Sequence, residues 1–132
     1  MKTKVKSNEY DRLIDSWHTI HGQVPSKSNS YRVIKVAGHG SMCKSDSIIE
    51  YEQTFFSQCP LRGAKIDREF KFMCDFYFRS QRSDLDNALK VVFDCLQTID
   101  AIKNDNLCAE IHCRKLVDKQ NPRIEFKIEK LI

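Results

Sequence analysis

What this sequence lacks narrows the field before anything it contains. No apolar run approaches the ~18 residues that a membrane helix needs, and the opening stretch MKTKVKSNEYDR carries charge from Lys2 onward. A secretory leader would need an apolar segment there, so a cytoplasmic location, with no membrane partner, is the expectation. The six cysteines, Cys43, Cys59, Cys74, Cys95, Cys108 and Cys113, contain no CxxC pair. Their tightest group, Cys108-x4-Cys113 with His112 between, has no second ligand pair near it, which speaks against zinc. Cys74, Cys95 and Cys113 fall on apolar faces in the reading below, as reduced thiols of a cytosolic protein do. The histidines at 18, 21, 39 and 112 lack metal spacing, and neither GxSxG, HExxH nor a P-loop occurs. His112 and Cys113 do not make a base–nucleophile pair, because neighbouring strand residues point to opposite faces. There are no repeats and no low-complexity tracts.

What is present is ordinary in bulk and uneven in distribution. A chain of 132 residues with 41% hydrophobic and 30% charged residues suits one globular domain with one core. The net charge is a mild +4. Residues 1–40 hold seven Lys/Arg against three acids, while residues 41–132 are balanced at fifteen each. A basic edge on a neutral body suits a polyanion, since each neutralised phosphate releases counterions. A solvated basic tail would have the same composition.

The pattern of elements predicts a mixed α/β (α+β) domain with a four- or five-stranded sheet and two main helices. Residues 1–15 read as a charged extension with a helical turn near 9–16, and residues 16–132 as the domain. Strands are expected at 17–22 and 31–36, separated by a turn-rich loop at 22–30, with Gly38-His39-Gly40 breaking the second. Ser45 or Asp46 can cap a helix to about Gln58, its stripe of Ile48, Tyr51, Phe55 and Cys59 widened by Ile49 and Phe56. Phe70, Phe72, Cys74, Phe76 and Phe78 alternate with Glu69, Lys71, Met73, Asp75 and Tyr77, the mark of a central strand with one face on the core. A second helix is expected over 83–99, its apolar stripe Leu85, Leu89, Val92, Phe93, Leu96 and Ile99. Residues 109–117 and 123–130 alternate as two strands, and the short link at 118–122 predicts an antiparallel hairpin.

Chemistry concentrates at the start of that second helix, in Arg82-Ser83-Asp84-Leu85-Asp86-Asn87-Ala88-Leu89-Lys90. Two positions on a helix differ by roughly 200°, so Asp84 and Asp86 cannot share a face mid-helix. Where strand passes into helix the chain is still extended, and residues i and i+2 point the same way. Two close carboxylates repel, and a divalent cation relieves the repulsion. Magnesium takes oxygen ligands, keeps several waters, and typically binds one or two carboxylates plus a substrate phosphate. Asp105 can add a third carboxylate if the chain returns alongside the helix start. Lys90, one turn after Asp86, can pair with it or stabilise charge on a phosphate. Each residue also has a structural role open to it. Ser83-x-x-Asp86 matches a capping box, Asp86 and Lys90 match a surface ion pair, and Asp105 suits an Asn-Asp-Asn turn.

Taken in order, the Pro25-Ser-Lys-Ser-Asn29 turn, the aromatic strand, Asp84-Leu-Asp-Asn-x-x-Lys90, the apolar helix, the Asp105 turn and the strand pair resemble the RusA family of Holliday-junction resolvases. The resemblance runs from about Trp17 to Ile128. It implies that Asp84, Asp86 and Asp105 hold Mg2+, with Mn2+ a possible substitute, and that Lys90 is the catalytic lysine. It implies that Lys27 and Asn29, with Tyr31 and Arg32, lie near the substrate backbone, and that the enzyme is a homodimer nicking a four-way DNA junction symmetrically. Arg79 and Arg82 would join Lys27 and Arg32 in holding the arms through phosphates. Where the family often has two consecutive aspartates after the helix, this chain has Asn104 before Asp105. Asp105 is then the expected ligand and Asn104 a weaker oxygen donor. Three other readings compete: a nuclease for another branched DNA such as a flap or fork, a junction-binding module without cleavage, and a structural protein whose aspartates only cap a helix.

Overall fold

The computed structural model describes residues 10–26, 31–36 and 39–131, with backbone alone described over 31–43. Strands β1 (Trp17–His21), β2 (Tyr31–Val36) and β3 (His39–Lys44) lead to helix α1 (Asp46–Gln58). Strand β4 (Phe70–Phe78), helix α2 (Leu85–Thr98), a 3-10 turn (Asp105–Leu107), β5 (Cys108–Val117) and β6 (Arg123–Lys130) follow. Within residues 9–16 a short helical turn covers 10–13. No helix among the described residues is long and apolar enough to cross a membrane.

Four strands form one mixed sheet in the order β1-β6-β4-β5, so the domain is α+β with a four-stranded sheet. As its alternation requires, β4 is central and buries Phe70, Phe72, Cys74, Phe76 and Phe78 completely or nearly so. Both helices pack on that face. Phe55 of α1 stacks on Phe126 of β6, and Phe93 of α2 meets Phe72 of β4 with ring centroids 5.0 Å apart. Burying such side chains contributes roughly 1.5–3 kcal/mol each, which is what seats α2 on the sheet and fixes where its two ends fall. Ile14, ahead of β1, is also in the core, and Asp15 accepts a hydrogen bond from the backbone of Lys130.

Four expectations change. The strands at 108–117 and 123–130 are not a hairpin, because β4 lies between them, parallel to β5 and antiparallel to β6. Alternation marks each segment as a strand but says nothing about which neighbour it takes. The link at 118–122 crosses the end of β4, about two strand spacings or ~9.5 Å, and Asp118 N–H donates to Phe78 O at 2.8 Å. Second, β2 ends at Val36 as expected, but His39 and Gly40 already belong to a further strand, β3, which pairs with β2 as a separate two-stranded sheet with Gly40 opposite Lys35. HGSMCK has little intrinsic strand preference, so cross-strand pairing with β2 makes it one; residues 37–38 lie outside the described residues. Third, Ile49 and Phe56 are 41% and 53% exposed, because α1 seats only its Ile48–Tyr51–Phe55 line on the sheet. Fourth, α2 buries Ala88, Val91 and Cys95 with Val92, Phe93 and Leu96, leaving Leu85 and Leu89 only partly buried. Its first turn overhangs the sheet.

The cysteines behave as packing groups. Cys59, Cys74 and Cys95 are buried, and the described cysteine side chains are all free thiols. Burial pushes the Cys59 thiol up to about 11 and Cys95 up to about 12, so neither ionises near neutrality.

Candidate active site

The chain leaves β4 at Phe78, runs through Arg79–Ser83 and enters α2 at Leu85. Asp84 is the N-cap, extended at φ −101° and ψ 119°, which is the junction geometry its position required. Its Oδ1 accepts from the Asp86 backbone N–H at 3.1 Å, and its Oδ2 accepts from the Asn87 side-chain amide at 3.1 Å. The cap is therefore Asp84, not Ser83. Capping and ligation do not exclude one another, since each carboxylate oxygen has a second lone pair.

Asp86 and Lys90 lie one turn apart and face one another, Nζ to Oδ2 at 3.5 Å, with side chains 71% and 59% exposed. Exposure matters more here than the contact, because an exposed pair of this kind contributes at most about 0.5 kcal/mol. Both groups stay open to solvent, Lys90 to an anion and Asp86 to a cation.

Beside the junction lies a cleft of about 480 Å³, lined among others by Gln23, Ser26, Arg82, Ser83, Asp84 and Asn87. Its far wall is the loop that follows β1. Gly22, at φ +120°, lets the chain turn there as only glycine readily does, and its N–H donates to Pro122 O at 2.9 Å. Gln23 then clamps the loop to the junction. Its Oε1 accepts from Arg79 N at 3.0 Å, and its Nε2 donates to Ser83 Oγ at 3.3 Å. No local pattern marks Gln23 in the sequence, because its partners stand 56 and 60 residues away.

Of the residues singled out from sequence, Asp84, Asp86 and Lys90 come together, and Arg79 and Arg82 flank them on the exposed link. Lys27 and Asn29 lie outside the described residues, as do the side chains of Tyr31 and Arg32, whose backbones belong to β2. Asp105 is elsewhere. It opens the 3-10 turn beyond the other end of α2, where its N–H donates to Gln97 Oε1 at 2.5 Å. A helix of 14 residues separates the two ends by about 20 Å. The chain does not return alongside the start of α2, because β5 begins at the opposite end of β4, with Cys108 beside Phe70. Accordingly, no group of three or more potential metal ligands converges among the described residues. Asn104 caps the turn by accepting from Asn106 N–H at 2.9 Å.

Two exposed carboxylates, a lysine one turn on and a basic link thus stand beside one cleft. Comparison with known proteins gives the family. The family described as Endodeoxyribonuclease RusA matches residues 22–129, which takes in the cleft, α2 and the whole sheet except β1. A protein of Aquifex aeolicus, the crossover junction endodeoxyribonuclease RusA, is 30% identical over 105 residues, covering 77% of this chain and 81% of its own. The chain belongs to the RusA family of endodeoxyribonucleases.

Proposed function

We propose that this chain is a cytoplasmic, homodimeric resolvase, cutting four-way DNA junctions by Mg2+-dependent phosphodiester hydrolysis in recombination and repair. The observation that carries the reading is the meeting of Asp84, Asp86 and Lys90 at one exposed helix start beside a cleft. The donor set fits magnesium: Asp84 and Asp86 offer hard carboxylate oxygens, and the exposure of Asp86 leaves room for waters and a substrate phosphate. Mn2+ would fit the same oxygens. When bound there, the ion supplies polarisation of the phosphate and a lowered pKa for the attacking water.

The protein's own groups do the rest. Asn87 and the Asp86 N–H orient the Asp84 carboxylate. Lys90 neutralises charge that builds on the scissile phosphate. Arg79 and Arg82, with Lys27, Asn29, Tyr31 and Arg32, hold the DNA backbone without reading bases. Asp105 cannot act in the same chain's site across about 20 Å; in the homodimer it would complete the site of the second copy. The catalytic unit would be residues 16–132, preceded by the charged extension 1–15.

The test is cleavage of a labelled synthetic four-way junction, with linear duplex, flap and fork substrates alongside. Paired symmetric nicks that need Mg2+ and disappear in Asp86→Asn are the expected result. A second reading, a junction-binding module without cleavage, draws on the remoteness of Asp105. It predicts shape-selective binding with no product under any divalent metal. Preferential cutting of flaps or forks would instead reassign the substrate.

A further inference from the structure

The loop that walls the cleft hangs from His21, the last residue of β1, and His21 is held from outside the sheet. In an antiparallel pair alternate residues turn their N–H and C=O toward the neighbouring strand, and the rest turn away. Gly22 N–H donates to Pro122 O, so the backbone groups of His21, opposite Arg123, point outward from the edge. Such groups have no strand to meet. Here the Gln58 carboxamide takes both. His21 N–H donates to Gln58 Oε1 at 2.7 Å, and Gln58 Nε2 donates to His21 O at 3.2 Å. One side chain from the end of α1 does what a neighbouring strand would do.

The residue type follows from the task. A carboxylate accepts but cannot donate, and lysine or arginine donates but cannot accept; a carboxamide does both from two atoms on one carbon. The helix end that carries Gln58 is itself firm. Phe55 and Cys59, on either side of it, are fully buried. The Arg62 guanidinium donates to the carbonyls of Phe56 and Cys59 at 3.3 and 2.9 Å.

Beyond His21 the grip on the loop continues. His21 Nδ1 lies 3.3 Å from Asn121 Oδ1, Gly22 turns the chain at φ +120°, and Gln23 is fixed to Arg79 and Ser83. Of these partners Gln58 alone belongs to α1, an element that carries none of the candidate site residues. We infer that Gln58 is a positioning residue for DNA cleavage. Through His21 it sets where the loop after β1 stands against the start of α2, and so from where the segment bearing Lys27 and Asn29 sets out. The inference rests on the nuclease reading above, which assigns those two residues to the DNA backbone. Both described hydrogen bonds of the Gln58 side chain go to His21, so substrate engagement rather than the chemical step depends on it.

The experiment pairs kinetics with hydrogen exchange, the second of which needs no DNA. Gln58→Met keeps the side-chain length and removes both hydrogen bonds; Gln53→Met, at an exposed position of the same helix, is the control. Gln58→Met should raise KM for a labelled four-way junction about tenfold while kcat stays within about twofold, and Gln53→Met should match wild type. Amides of residues 21–26 should exchange faster in Gln58→Met, with those of α2 unchanged. Because Gln23 holds the same loop, the double variant Gln23→Ala with Gln58→Met should lose little more than either single one. Unchanged exchange over 21–26, a loss in kcat rather than KM, an equal loss in Gln53→Met, or a double variant showing the full product of both effects would overturn the assignment. A loop loosened as expected in a chain whose wild type cuts no DNA keeps the clamp and defeats the nuclease reading.

Discussion

At its N-terminal end α2 presents Asp84 and Asp86 one turn from Lys90, open to solvent beside a cleft. Beyond its C-terminal end stands Asp105, in a turn fastened by Gln97 and capped by Asn104. The acids of the motif are thus divided between the two ends of one helix, Asp84 and Asp86 with Lys90 at the start and Asp105 beyond the finish. Their separation follows from topology rather than from local sequence. A β–α–β unit must bring the chain back to the start of the first strand before it can lay down a parallel second one. Any acid in the returning turn is therefore held a helix length away from acids at the helix start.

That contrast can be broken at either end. Asp86→Asn should reduce Mg2+-dependent junction cleavage by about 1,000-fold or more while leaving junction binding within a few-fold; single-turnover kinetics and gel shifts on one preparation measure both. Loss of binding in parallel would mean that Asp86 positions DNA rather than supporting the chemistry. Lys90→Ala should follow at about 100-fold on the cleavage rate, and because the Asp86–Lys90 pair is exposed its melting temperature should barely move. A large fall in melting temperature would return the pair to a structural role. Gln23→Ala releases the loop from Arg79 and Ser83 and should cost about tenfold, seen mainly in KM if the loop carries substrate contacts.

The smallest effect lies away from the site. The Arg114 guanidinium, bidentate on Asp75 at 2.9 and 2.8 Å, holds the Asp75 carboxyl below its ordinary value. A carboxylate with a depressed folded pKa adds stability above its unfolded value of about 3.9, and that stability fades as pH falls through the folded value. Asp75→Asn should cost about 1 kcal/mol at pH 7 and progressively less as pH falls below about 3.9, read from denaturant melts across that range. A cost independent of pH would assign the loss to packing.

How much of this was legible in the sequence depended on whether the signal was local. The β4 alternation and the extent of α2 depend on neighbours within a few residues, and the structure has them close to where the pattern put them, while the cap falls on Asp84 rather than Ser83 and the stripe is rotated toward Ala88, Val91 and Cys95. The order β1-β6-β4-β5 depends on which strand takes the central slot. No period encodes that, so the short link at 118–122 suggested a hairpin that β4 in fact divides. Gln23 escaped notice for the same reason, its two partners lying across the sheet end. Asp105 was legible as an acid of the motif but not as a distant one, because spacing along a chain does not say on which side of a helix the chain returns.

The central claim is that the two ends of α2 meet across a two-fold axis, and mixing two inactive proteins tests it most directly. Asp86→Asn and Asp105→Asn chains, each without cleavage alone, are co-refolded so that mixed dimers form. In a mixed dimer the intact Asp84–Asp86 of one chain would meet the intact Asp105 of the other, restoring one site of two. With mixed dimers at about half of the population, nicking of a four-way junction should return at about a quarter of the wild-type rate. No recovery from a mixture verified to contain mixed dimers would contradict the account, as would an Asp105→Asn protein that cuts normally.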